Sequence, residues 1–305
     1  YEELSKRNPG LVYCSVSAYG HTGPDSHRAG FGLIAEAKSG IMAMVGSPGE
    51  APPLLRIALG DMYTGVHGVA SVCAALLGRA KSGRGQHIDL ALYDCLVSMH
   101  EYAVQCYTLS GGREIPVQTG HDLPCSTLYG VFTARDGHIV IAAQVDDAWK
   151  RFARLVGGEA FASDTRFHSA QGRNDHRLEI LPRVRAWVGE RTIAQCLAEL
   201  ESADVACAKV QTIADVLADP QIAERRMVIE QEHPLLGKVR LPNLPFRFSE
   251  CDTTQTVPAP LLGQHNREIA AELGYSRDEI DAMVGDGVLY AEEAVARVTS
   301  SVVPG

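Results

Sequence analysis

Apolar and polar positions along the chain switch between a strand-like and a helix-like rhythm. Leu11-Val12-Tyr13-Cys14-Ser15-Val16 is a short apolar run ending in the turn-rich Tyr19-Gly20-His21-Thr22-Gly23-Pro24, the pattern of a buried strand. Residues 31–44 mix apolar and small side chains and read as a helix closed by Val45-Gly46-Ser47-Pro48-Gly49. A Pro-rich stretch leads to Gly60-Asp61. Residues 63–77 are then rich in Ala, Val and Leu with interspersed Gly, which suits a tightly packed buried helix. Residues 78–85 carry Arg79, Lys81 and Arg84 on a turn, residues 87–92 read as a strand and 94–109 as one long helix. Strands alternating with helices predict an α/β architecture.

Ser110-Gly111-Gly112 marks a boundary in this pattern. Beyond it, Tyr129-Gly130-Val131-Phe132 and His138-Ile139-Val140-Ile141-Ala142 flank Arg135-Asp136-Gly137, an Asp-Gly hairpin signal. Helices are expected at 147–156, 175–188 and 192–200, with a short strand at 205–211, so this region reads as a second, α+β domain. Ser276-Arg277-Asp278-Glu279 has the capping-box form and starts a further helix. Residues 291–305 lack a core pattern and are expected to fray.

Composition narrows the function classes. The chain has 305 residues, 46% of them hydrophobic, enough for about two domains with their own cores. Twenty-eight basic residues against 37 acidic ones argue against a nucleic-acid or anionic-membrane surface. No apolar run reaches the ~20 residues of a membrane span. Eight cysteines without a Cys-x-x-Cys, and eleven histidines without a His-Glu-x-x-His, point to free thiols packed as small hydrophobes, to no metal site, and to a reducing cytoplasm. The chain opens on Tyr1 at the polar end of a helix, without a signal peptide, so it is expected to begin inside a longer protein.

The chemistry-bearing feature is Leu59-Gly60-Asp61-Met62-Tyr63-Thr64-Gly65, a carboxylate at the start of an apolar helix. Free N–H groups and the macrodipole favour negative charge there, and a carboxylate beside small residues is open enough to attack an electrophile. Asp is equally a good N-cap, so the residues alone leave both roles open.

The order of motifs along the chain adds a resemblance. Ser15 to Pro24, Arg28-Ala29-Gly30-Phe31, Gly60-Asp61-Met62-Tyr63-Thr64-Gly65 and Lys81-Ser82-Gly83-Arg84-Gly85-Gln86 together resemble the class III CoA-transferase family (CaiB/BaiF type, formyl-CoA transferase-like). The resemblance continues through Ala218-Asp219-Pro220-Gln221, Glu232-His233-Pro234 and residues 258–265, covering roughly residues 8–290.

This resemblance implies a Rossmann-like large CoA-binding domain, a smaller α+β domain and an interlocked homodimer. The large domain would take residues 1–115 and a return segment 221–290, with part of it preceding Tyr1; the small domain would take 116–220. Asp61 would be the nucleophile, attacking an acyl-CoA thioester to give a mixed anhydride and then an aspartyl-CoA thioester. The substrates would be acyl-CoA and a carboxylic acid, with no permanent cofactor. Arg28, Ala29, Gly30 and Phe31 would border the CoA, with Arg28 either pairing with a CoA phosphate or remaining a solvated charge. Lys81 and Arg84 read as a solvated turn. Gly120 and His121 occupy the place of a loop that in some members covers the intermediate, but Gly120-His121-Asp122-Leu123-Pro124 is not glycine-rich. Related racemases carry a His at the position of Phe31, which cannot serve as an acid or base. A racemase, or an inactive CoA-binding subunit, is the alternative reading, and His67 reads as a structural side chain.

Overall fold

The computed structural model describes residues 1–123, 125–254 and 257–291. The tail expected to fray thus lies, beyond Ala291, outside the described residues. By its internal contacts the chain divides into two units, Tyr1–Val210 and Gln211–Gly305.

The first unit opens with α1 (Glu2–Arg7) and β1 (Val12–Ser17), and β1 pairs in parallel with β2 (Gln86–Ala91), Val12 opposite Gln86 through Ser17 opposite Ala91. Parallel neighbours need a crossover, supplied here by α2 (Gly32–Lys38) and α3 (Leu59–Ser82). At its far end α3 lies beside the start of β1: Arg79 Nη1 donates to Gly10 O at 3.1 Å and Gly85 N to Pro9 O at 2.9 Å. A 24-residue helix is about 36 Å long and a six-residue strand about 20 Å. The N-terminus of α3 therefore reaches beyond the C-terminal end of β1, where open parallel sheets bind their ligands.

The helix expected over 31–44 is shorter, ending at Lys38 and followed by a single 3₁₀ turn, Met42–Met44. In contrast, α3 outruns its expected bounds at both ends. Arg79 and Lys81 belong to its last turn, where cations meet the negative end of the dipole, and Gly83 at φ 70° stops it. The single helix expected at 94–109 is two, α4 (Leu92–Ser98) and α5 (Glu101–Leu109), separated at Met99 and His100, where the His100 ring bonds Ser39 O at 2.8 Å. Ala35, Ile41, Leu92 and Leu96 form the buried core between α2 and α4.

Residues 122–209 build an antiparallel sheet in the order β3 (Asp122–Leu123), β4 (Ser126–Ala134), β5 (Gly137–Ala142), β6 (Ala206–Lys209). The Asp-Gly signal holds: Ala134 pairs with Gly137 across a two-residue turn. Helices α6 (Asp146–Ala162, kinked at Gly158), α7 (Ala170–Asp175), α8 (Arg177–Gly189) and α9 (Ile193–Ser202) accompany the sheet, and its larger core centres on Trp149, Phe152, Phe167, Ile139 and Ile141. The mixture of strands and helices agrees with the α/β class.

In the second unit, α10 (Ile213–Ala218) and α11 (Pro220–Glu224) precede the antiparallel pair β7 (Val228–His233) and β8 (Gly237–Pro242), then α12 (Asn266–Glu272) and α13 (Arg277–Gly285). Ser276 and Glu279 form the expected capping box on α13. Among the described residues no helix is long and apolar enough to cross a membrane. All eight cysteines are free; Cys95 and Cys196 are buried as expected, whereas Cys73, Cys125 and Cys251 are exposed.

Candidate active site

Asp61 stands at the third position of α3, not at its cap. The N-cap is Ala58, which has no side-chain oxygen to offer. The first-turn N–H of Gly60 is instead met from α2, where the buried Glu36 accepts it through Oε1 at 3.1 Å. On the opposite side of Gly60, the buried Thr64 hydroxyl donates to its carbonyl oxygen at 2.7 Å.

Glycine at 60 and 32 lets the two helices approach. A Cβ on Gly60 would stand 3.1 Å from the carbonyl oxygen of Gly32 and 3.2 Å from its Cα. A Cβ on Gly32 would overlap the Asp61 carboxylate, coming within 2.9 Å of Cγ. The carboxylate thus lies directly over bare backbone. It is exposed, and no hydrogen bond or ion pair engages it among the described residues.

Asp61 faces an open cleft of about 350 Å³ shared with Phe31, Leu54, Ile57, Glu36 and Arg56. Phe31 caps α2 and projects into solvent at 79% exposure, and Leu54 and Ile57 are also exposed, giving the cleft an apolar rim. Arg56, held at φ 56°, brings a positive charge to the lining. An unpartnered carboxylate on an apolar rim can bind and attack a neutral acyl group; Phe31 has no proton to exchange.

The segment 28–31 is fastened to the end of β1. A Cβ on Gly30 would stand 2.6 Å from Ala18 Cβ and 3.4 Å from the Tyr19 ring, so only glycine fits. Arg28 pairs with Asp25 at 3.0 Å, and Lys38 pairs with the other oxygen of the same carboxylate while lying 4.7 Å from the Tyr19 ring centre and 5.3 Å from that of Tyr93. Phe31 shares the Asp61 cleft, whereas Arg28, Ala29 and Gly30 are not among its lining residues.

Gly120 and His121 lie on a connecting turn outside that lining. Gly120 N donates to Gly46 O at 3.0 Å, and the exposed His121 accepts Val131 N at its carbonyl at 3.0 Å. His67 packs edge-on against Tyr63 at 4.6 Å; six positions beyond Asp61, it occupies a different face of α3. Sequence reasoning missed Glu36, Arg56 and Lys38. A carboxylate within an otherwise apolar helix was the available signal for Glu36, but its partner is 24 residues away.

Comparison with known proteins bears on what this arrangement serves. Residues 1–266 match the model of CoA-transferase family III. The chain is 33% identical to the succinyl-CoA–D-citramalate CoA-transferase of Chloroflexus aurantiacus, over 92% of this chain and 70% of that protein. It is 29% identical to the succinyl-CoA:glutarate CoA-transferase of Mus musculus, over 96% and 67% respectively. Among solved structures, a CaiB/BaiF family protein from Brucella suis superposes with a TM-score of 0.76 at 33% identity, covering 90% of this chain and 70% of that one. With the family model and these relatives each matching most of its length, the chain belongs to CoA-transferase family III.

Proposed function

We propose that this protein moves CoA from an acyl-CoA donor to a carboxylic acid acceptor, and that the acceptor is a short dicarboxylate. The observation that carries this reading is the Asp61 carboxylate, unpartnered over Gly32 at the mouth of an apolar-rimmed cleft. The names of its relatives support the substrate class: succinyl-CoA is named with citramalate, glutarate or mesaconate.

In the proposed sequence an Asp61 oxygen attacks the donor thioester carbon, and the C–S bond breaks to release CoA thiolate. The product is a mixed anhydride between Asp61 and the donor acyl group. The thiolate then attacks the Asp61 carbonyl carbon, expelling the donor as its free carboxylate and leaving an aspartyl-CoA thioester. The acceptor carboxylate attacks that thioester, forming a second anhydride and again freeing the thiolate. Attack of the thiolate on the acceptor acyl carbon yields acceptor-CoA and restores Asp61. No net proton is taken up or lost, so no metal or proton shuttle is demanded. An amide or hydroxyl at position 61 could not complete this cycle.

The rim residues Phe31, Leu54 and Ile57 would exclude water from the anhydride, and segment 28–31 would border the CoA. Arg28 and Lys38, sharing Asp25, would offer cations to its phosphates. Gly120 and His121 would act on the acceptor side, and the working form would be a cytoplasmic homodimer. Phe31 speaks against the racemase alternative.

The test is a panel of oxalate, succinate, glutarate, malate and mesaconate against succinyl-CoA. Transfer to at least one dicarboxylate is expected. Deuterium uptake at the α-carbon of an acyl-CoA without any acceptor acid would instead identify an isomerase.

A further inference from the structure

The first turn of α3 needs acceptors for its free N–H groups, and its own cap residue supplies none. The Gly60 N–H is served from another helix by Glu36, a carboxylate only 3% exposed. Burial of such a group is costly unless donors meet it, and a helix N-terminus is a favourable place for it. Thr64 fixes the other side of Gly60 by donating to its carbonyl oxygen. Both peptide planes of Gly60 are thereby held, including the one that leads into Asp61. Glu36 also lines the cleft that Asp61 faces.

We infer that Glu36 is a positioning residue for CoA transfer, an inference that rests on Asp61 being the nucleophile. By capping α3 from α2, Glu36 does the work that a first-turn aspartate otherwise does for its own helix. The Asp61 carboxylate is left unbonded over Gly32 and facing the cleft. Without Glu36, the Gly60 N–H loses its acceptor, and the first turn that carries Asp61 is no longer held from α2.

The experiment compares Glu36→Ala and Glu36→Gln with the unmodified protein. Succinyl-CoA and hydroxylamine trap activated Asp61 as a hydroxamate, read by mass spectrometry beside kcat, KM and amide exchange at Gly60. Glu36→Ala should lower kcat and hydroxamate formation together by about tenfold or more, the scale of a misplaced reacting group, with KM for succinyl-CoA nearly unchanged. Exchange at Gly60 should accelerate. Glu36→Gln, whose amide oxygen still accepts the N–H at nearly the same volume, should restore both rates to near the original. Unchanged hydroxamate formation in Glu36→Ala, or a Glu36→Gln variant as impaired as Glu36→Ala, overturns the inference. Absence of hydroxamate at Asp61 in the unmodified protein overturns the nucleophile assignment, and this inference with it.

Discussion

The Cα of Gly32 lies against the Asp61 carboxylate so closely that a methyl group there would come within 2.9 Å of Cγ and 3.0 Å of Oδ1. The neighbour that must yield is the end of a side chain, not backbone. Gly32→Ala is therefore expected to fold with little loss of thermal stability while swinging the carboxylate away. Transfer activity should fall about 10- to 100-fold, the cost of moving a reacting group by about 1 Å. Melting temperature and kcat measured on one preparation check this: a large fall in both would mean that α2 had moved instead.

Gly60→Ala should behave differently. Its added methyl would meet the Gly32 backbone at 3.1 and 3.2 Å and Leu96 Cδ1 at 3.3 Å. Backbone cannot rotate out of the way, so α2 and α3 must part. Overpacking of this kind costs about 1–3 kcal/mol, and the Glu36–Gly60 bond would lengthen at the same time. Denaturant unfolding should reveal the loss, accompanied by reduced transfer.

How much of this was legible in the sequence follows from how local each signal is. The strand expected at residues 11–16 and found at Val12–Ser17, the turn at 135–137 and the capping box at 276–279 are each written within a few consecutive residues, and each formed. The break between α4 and α5 was not legible, because the His100 contact that accompanies it is with Ser39, far away in the chain. Asp61 stood out through its motif, while its geometry did not: the choice between cap and free carboxylate depends on Glu36, which no local pattern connects to Gly60. Arg28 was visible as a cation, whereas the Asp25 carboxylate that it shares with Lys38 emerges only when α2 forms.

Acid should weaken the α6–α9 region. The Arg166 guanidinium, bonded to Asp164 and Glu179, holds the Asp164 carboxyl below the usual carboxylate range. A carboxyl whose folded pKa is lowered binds protons less readily when folded than when unfolded. Its stabilisation is therefore present above about pH 4 and is lost as the pH falls through the folded value. Thermal melts between neutral pH and pH 3 should show a decline at the acid end, smaller in Arg166→Gln.

Cys106 should be a slow thiol despite its accessibility. Its Sγ donates to Glu114 Oε2 at 3.3 Å, and this hydrogen bond pushes its pKa up. Less thiolate at a given pH means slower alkylation. Iodoacetamide labelling at pH 8, followed by peptide mass spectrometry, should find Cys106 reacting more slowly than in a Glu114→Gln variant. Equal rates would show that the bond does not persist in solution.

The most direct measurement is the fate of Asp61 itself. Incubation with succinyl-CoA and hydroxylamine should place a hydroxamate on Asp61 and on no other carboxylate, and Asp61→Ala should abolish transfer to every acid tested. A hydroxamate elsewhere, or full transfer activity in Asp61→Ala, would contradict Asp61 as the nucleophile.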